Sequence, residues 1–282
     1  MMDDGGLLHA EGAATAFTRA QLTDLFAAPD WHPGAHPAMP PIVARGRMPT
    51  VQACAYCHLP TGDGRPENAS LAGLPYDYIV DQMRDMRSGK RTTSVRERAP
   101  QAMMLALASA VTDEEIAAAA RYFAALEAHA HVQVVETSTA PRPMETHWIM
   151  AKDPAGGTEP LGVRIIEVPE DLGKFDLRDD SARFVAYVPR GSIARGEALV
   201  QRGGPGKTMP CGSCHGADLR GTGTVPGLAG RSPTYLVRQL YDLKSGARAG
   251  ANATQMKAVV GNLSEEDMVV IAAYVASRPM SP

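Results

Sequence analysis

Apolar residues recur at helical spacing in two stretches of matching design. Over 76–87 one face collects Ile79, Met83 and Met86, and over 234–244 it collects Leu236, Leu240 and Leu243. Gly89 and Gly246 follow as natural stops. Two more helices are expected over about 113–127 and 265–277. Thr112-Asp113-Glu114-Glu115 opens the first with a capping box, in which the threonine hydroxyl and the glutamate carboxylate each accept from the other's backbone N–H. Ser264-Glu265-Glu266-Asp267 repeats the cap with aspartate in the third place. Tyr122 and Tyr274, at matching positions on these helices, are read as core packing. Between the helical regions the period shortens. Residues 131–135, 147–150, 163–168 and 183–188 read as short strands, punctuated by Pro141, Pro143, Pro154, Pro160, Pro169 and Pro189.

The helices belong to a longer repetition. At an offset of 157 residues Cys57 matches Cys214, Leu71-Ala72-Gly73 matches Leu228-Ala229-Gly230, and Tyr78, Gln82 and Asp85 match Tyr235, Gln239 and Asp242. Further along the offset falls to 152, so Met104 matches Met256 and Tyr122 matches Tyr274. The chain therefore holds two similar helical units.

All four cysteines fall in this repeat, as Cys54-Ala55-Tyr56-Cys57-His58 and Cys211-Gly212-Ser213-Cys214-His215. C-x-x-C-H is the attachment signature of c-type haem. Two thiols near the start of a helix add to the two vinyl groups of one porphyrin, and the following imidazole reaches the iron. A zinc site built from one motif lacks a fourth ligand, and one built from all four cysteines leaves both histidines unused. Two disulfides or redox thiols are the remaining alternatives. A haem iron held by one histidine takes a second axial ligand or stays open for chemistry. Met104 and Met256 occupy equivalent positions and are the candidates. Met103 beside Met104 stays open as the first ligand, whereas Met83 and Met86 match leucines and read as core. Pro226, eleven residues after His215, offers a rigid carbonyl to orient that ring. Its counterpart is Ala69, so the first unit uses either another carbonyl or this one without proline's stiffness. Lys90 and Arg98 sit in a run with Arg84, Arg87, Arg91 and Arg96, read as a solvated face, with propionate pairing as the alternative.

Composition narrows the partners. Lys plus Arg is 28 against 31 Asp plus Glu, a net charge of −3, which argues against nucleic acid. Residues 1–131 carry 11 basic and 15 acidic side chains, 132–191 carry 7 and 10, and 192–282 carry 10 and 6. Opposite signs at the two ends suit different redox partners or attraction between the units. No run of 18 apolar residues predicts a transmembrane segment. The opening residues are acidic without a long apolar core and do not read as a secretory signal.

The two C-x-x-C-H motifs, the Leu-Ala-Gly loops, the Tyr-x-x-x-Gln helices and the methionines seven residues before Val111 and Leu263 together resemble the dihaem cytochrome c4 group of class I cytochromes c. The likeness covers about 50–130 and 192–279. It implies a mainly α fold, with two class I cytochrome c-like helical haem domains related by pseudo-twofold symmetry. The expected plan is an irregular N-terminal extension over 1–50, a first cytochrome c domain over 51–131, a β-containing insert over 132–191 and a second cytochrome c domain over 192–282. The resemblance further implies two covalent haem c groups on Cys54, Cys57, Cys211 and Cys214. His58 and His215 are then the proximal iron ligands, and Met104 and Met256 the distal ones. The implied function is a periplasmic carrier of single electrons between donor and acceptor proteins, the chain being a mature form or lacking its true start. The insert, the N-terminal extension, and Leu59 where the second unit has Gly216 depart from the family pattern. The insert motivates one alternative, the electron-transfer subunit of an oxidoreductase complex. Another is a dihaem enzyme such as a peroxidase, with one reactive haem and a ligand drawn from His32, His36, His129, His131 or His147.

Overall fold

The structure, a computed structural model, describes residues 6–95 and 97–280. The chain opens with β1 (Leu7–Leu8) and β2 (Phe17–Thr18), paired antiparallel, then the one-turn helices α1 (Arg19–Leu22) and α2 (Pro41–Ala44). The first helical group continues with α3 (Cys54–His58), α4 (Tyr76–Arg87), α5 (Ala99–Ala110) and α6 (Asp113–Ala124). Its core centres on the fully buried Phe123, Val43, Val51, Ala72 and Ala120. It draws on Ile42 and Val43 of α2, upstream of residue 51.

The insert comprises β3 (Val132–Thr137), β4 (Thr139–Pro141), β5 (Pro143–Thr146), β6 (Ile149–Lys152), β7 (Thr158–Pro160), β8 (Ile166–Pro169), the short helix α7 (Leu172–Asp176) and β9 (Phe184–Pro189). β9 lies between β3, to which it runs parallel, and β8, to which it runs antiparallel. Two short antiparallel pairs, β4 with β7 and β5 with β6, complete it. The expected strand over 147–150 is corrected. His147 and Trp148 both have positive φ, 44° and 68°, and form the two-residue turn between Thr146 and Ile149, which pair directly. Left-handed backbone at both positions is what a type I′ hairpin turn demands. Neither residue is the Asn or Gly that signals such a turn, so the pattern reads as strand. Likewise only the second half of 163–168 is extended.

The second helical group holds α8 (Ser192–Arg202), α9 (Gly212–His215), α10 (Pro233–Ser245), α11 (Ala253–Val260) and α12 (Glu265–Ala276). Both capping boxes form, at Thr112 with Glu115 and at Ser264 with Asp267. Beyond its first two residues α12 is buried on every side, because α8 and α10 cover it on one side and β3 and β9 on the other. Gly196 makes the closest approach possible: a Cβ there would strike the carbonyl oxygen of Val270 and the Cβ of Tyr274. Alanine favours a helix interior over glycine by about 1 kcal/mol, but backbone cannot yield as a side chain can, and overpacking costs about 1–3 kcal/mol. Gly196→Ala is therefore expected to lower the stability of the second group and its thermal midpoint, checked by circular dichroism of the haem-loaded protein.

The repeats meet through reciprocal contacts. Arg91 donates to Tyr235 Oη at 3.3 Å and Gln239 Oε1 at 3.1 Å, and Arg248 donates to Tyr78 Oη at 3.4 Å and Gln82 Oε1 at 2.7 Å. Arg91 and Arg248 are themselves bridged antiparallel through their backbones. Each group thus presents the same patch to the other, as a twofold-related contact requires. Arg231 adds an asymmetric tie, donating from its buried guanidinium to Ser70 O at 2.8 Å and Ala72 O at 3.2 Å. Trp31, 1% exposed, packs edge-on to Phe17 and donates from Nε1 to Leu177 O at 2.8 Å, which fastens the N-terminal segment to the insert.

Candidate haem-binding sites

Each C-x-x-C-H motif forms a single helical turn, α3 or α9, that ends at its histidine. The chain then leaves through positive φ in both copies, 64° at Leu59 and 83° at Gly216. Glycine adopts this backbone freely, whereas Leu59, with ψ of 154°, lies in a region nearly reserved for glycine, at a cost of about 1–3 kcal/mol. The reversal lets a loop return under each imidazole. His58 Nδ1 lies 2.8 Å from Ala69 O, and His215 Nδ1 lies 2.8 Å from Pro226 O. A carbonyl only accepts, so both rings carry their proton on Nδ1 and leave the Nε2 lone pair free. The first unit thus uses the same carbonyl position as the second, with alanine in place of proline. Burial lowers the pKa of both histidines, against the opposing pull of these carbonyls, and keeps the rings neutral.

The first motif opens into a deep cleft lined by Cys54, Cys57 and His58, with Leu71, Ile79 and Phe123 among its apolar walls. Met103 and Met104 of α5 both line it, so the geometry leaves both as candidate ligands. Met83 and Met86 contribute to the wall as well. In the second unit Met256 packs with Cys211, Leu228 and Leu240 against the same core, whereas the neighbouring Gln255 is exposed. No disulfide joins the four cysteines. Burial pushes Cys54 up to about 12 and Cys211 up to about 11, and it raises Cys57 as well. An apolar cleft with two thiols, a neutral imidazole with a bare Nε2, thioethers within it and cations at its edge fits a covalent haem.

Of the basic run, Arg91 and Arg98 line the cleft. Arg87 instead binds Asp113 at 2.6 Å and the carbonyls of Ala108 and Val111, closing the turn between α5 and α6. Arg96 lies outside the described residues. None of His32, His36, His129, His131 and His147 lines the cleft. His131 is buried edge-on to Phe184, and the rings of His36 and His147 lie near Asp30 and Asp176. Tyr122 is buried and donates to Pro60 O at 2.7 Å, a packing role. Sequence reasoning did not single out Arg238, Tyr235 or Gln239 as groups serving the first site. Yet the cleft is lined in part by Tyr235, Arg238 and Gln239 of the second unit and by Trp148 and Arg178 of the insert. For Arg91 and Arg248 a signal existed: they stand 157 residues apart, the offset of the cysteines.

The family model described as Cytochrome c matches residues 193–279. The cytochrome c-554(548) of Halomonas halodenitrificans is 40% identical over 76 residues, covering 27% of this chain and 92% of that protein. Cytochrome c4 of Pseudomonas aeruginosa is 42% identical over 89 residues, 31% of this chain and 41% of that one. A thiosulfate dehydrogenase electron acceptor of Thiomonas intermedia is 26% identical over 238 residues, 83% of this chain and 82% of its own length. Among solved structures, the thiosulfate dehydrogenase of Marichromatium purpuratum aligns with a TM-score of 0.57 at 27% identity, over 83% of this chain and 38% of that one. Cytochrome c4 of Pseudomonas stutzeri shares the fold, with a TM-score of 0.51 at 18% identity over 80% of this chain and 93% of that one. No helix among the described residues is long and apolar enough to cross a membrane. Two C-x-x-C-H turns in two helical units, with these relatives, mean that the chain belongs to the class I c-type cytochromes, as a dihaem, cytochrome c4-like electron-transfer protein with two covalently attached haem c groups.

Proposed function

We propose that this cytochrome works in the periplasm as the electron acceptor of a dehydrogenase that oxidises thiosulfate, and passes the electrons on to a second protein. Cys54 and Cys57 hold one haem and Cys211 and Cys214 the other. His58 with Met104, and His215 with Met256, would hold the two irons. The haems supply one-electron exchange between ferric and ferrous iron, and the chain's own residues orient the rings and exclude water. The Ala69 and Pro226 carbonyls fix each imidazole, and the thioethers favour the ferrous state. The observation that carries the reading is the make-up of the first cleft. Because residues of the second unit and of the insert line it alongside the first, one edge of the site faces the other haem unit and another faces a surface that a partner can cover.

The donor's identity draws its support from the Thiomonas acceptor. An alignment of 238 residues is longer than the two helical units together, so it includes part of the insert, which the c4 match of 89 residues does not require. The β5–β6 turn offers that partner Trp148, 53% exposed at the lip of the cleft, with Met144 and Met150 exposed on the same hairpin. Aromatic residues and methionines are enriched at interfaces, and tryptophans are among the few residues that carry most of the binding energy. In stopped-flow mixing with a thiosulfate dehydrogenase and thiosulfate, both haems are expected to reduce, and Trp148→Ala to slow the bimolecular step by about 10-fold, the loss of roughly 1.4 kcal/mol of docking energy. Reduction no faster than with thiosulfate alone overturns the donor assignment.

A further inference from the structure

We propose that His32, Asp179 and Asp180 bind one divalent first-row transition ion, with zinc as the representative, and that this ion staples the N-terminal segment to the insert beside the first haem cleft. His32 Nε2 lies 3.5 Å from Asp179 Oδ1 and 3.6 Å from Asp180 Oδ1. These separations are long for hydrogen bonds. They match two donors on one tetrahedral ion, since bonds of about 2.0–2.1 Å set neighbouring ligands about 3.3–3.5 Å apart. One ligand atom from each residue falls within 4.8 Å of the other two.

A second observation points to an ion. The Asp179 and Asp180 side chains are 0% and 4% exposed. Asp179 Oδ1 accepts from Ser181 N at 2.8 Å, but Asp179 Oδ2, both Asp180 oxygens and His32 Nε2 are buried without a hydrogen-bond partner. Unpaired buried carboxylate oxygens are costly. A protonated His32 would balance only one of the two carboxylates, whereas a divalent cation bound to a neutral imidazole balances both. An imidazole with two carboxylates suits zinc and its neighbours better than calcium or magnesium, which take oxygen donors.

The donors are held in place before any ion arrives. Trp31 anchors its neighbour His32 through the bond to Leu177 O. On the other side Arg178 stacks 3.6 Å over the Tyr56 ring and donates to Tyr56 O at 2.7 Å, and Asp179 N donates to Lys174 O at 3.0 Å.

The test uses the full haem-loaded chain, stripped with a chelator and dialysed against zinc chloride, with zinc counted per haem iron by mass spectrometry. One zinc per chain is expected, with affinity falling by more than about 10-fold in Asp180→Asn and in His32→Gln, since even an outer-shell partner is worth that much. Both variants are scored only with unaltered haem spectra. Independently of any variant, diffraction at the zinc edge from crystals of the unaltered chain grown with zinc should place an anomalous peak among the three side chains. The proposal fails if no stoichiometric zinc is retained, if both variants bind it unchanged, if calcium binds in its place, or if the peaks lie only at exposed histidines such as His129 and His147.

Discussion

Replacing Cys211 and Cys214 together by serine is expected to leave one covalent haem per chain instead of two and to unfold the second helical group. Leu228, Leu240 and Met256 sit with Cys211 around the second core. On the proposed assignment they form part of the wall of the second haem. Without the ring their apolar surface meets water, and each side chain of that size loses up to about 1.5–3 kcal/mol of burial. Three such losses approach the whole stability of a typical domain, about 5–15 kcal/mol. The matching change at Cys54 and Cys57 should empty the first cleft and leave the second haem in place. Haem per chain from the pyridine haemochrome spectrum, with thermal unfolding followed in the far ultraviolet, checks both. Retention of two covalent haems after either double substitution would remove the motifs from the attachment chemistry.

The second large effect is expected at the distal ligands. Met256→Ala should abolish the methionine-sulfur-to-iron charge-transfer band of one haem, render that iron high-spin and open it to cyanide. Met256→His should restore a low-spin iron at a potential lower by about 0.2–0.3 V, within the roughly 0.8 V over which axial ligands tune haem. In the first unit the geometry admits two residues, so Met104→Ala and Met103→Ala are compared. The proposed assignment requires that only the Met104 change remove the band. If only the Met103 change removes it, the repeat register has misled at this position, since α5 places both thioethers in the cleft.

Much of the local structure was legible because its causes are local. The helix over 76–87 ends where its apolar face ends, and each capping box lies within four consecutive residues. The Ala69 and Pro226 carbonyls were within reach because eleven residues separate each from its histidine. The α5 and α11 helices, which bear the candidate methionines, are not legible in the sequence. The α5 stretch is rich in alanine and leucine on all sides and lacks a clear apolar stripe. The type I′ turn at His147 and Trp148 lacks its usual residues, and there the strand reading failed.

By itself the sequence determined the cofactor chemistry and the duplication, because covalent attachment needs thiols and an imidazole at set spacing and the repeat preserves that spacing. Tertiary structure alone decided which groups surround the first haem site. Arg91 and Arg248 meet across the repeat interface, Tyr235 and Arg238 complete a cleft whose cysteines lie more than 170 residues away, and β3 finds β9 as a parallel neighbour. The physical reason is range. Dihedral preference and side-chain periodicity act over one or two helical turns, whereas packing of distant segments is selected by the burial each arrangement achieves in the assembled chain. His32, Asp179 and Asp180 follow the same rule: each is an ordinary polar residue in its own segment, and they form a cluster only because Trp31 docks beside Leu177.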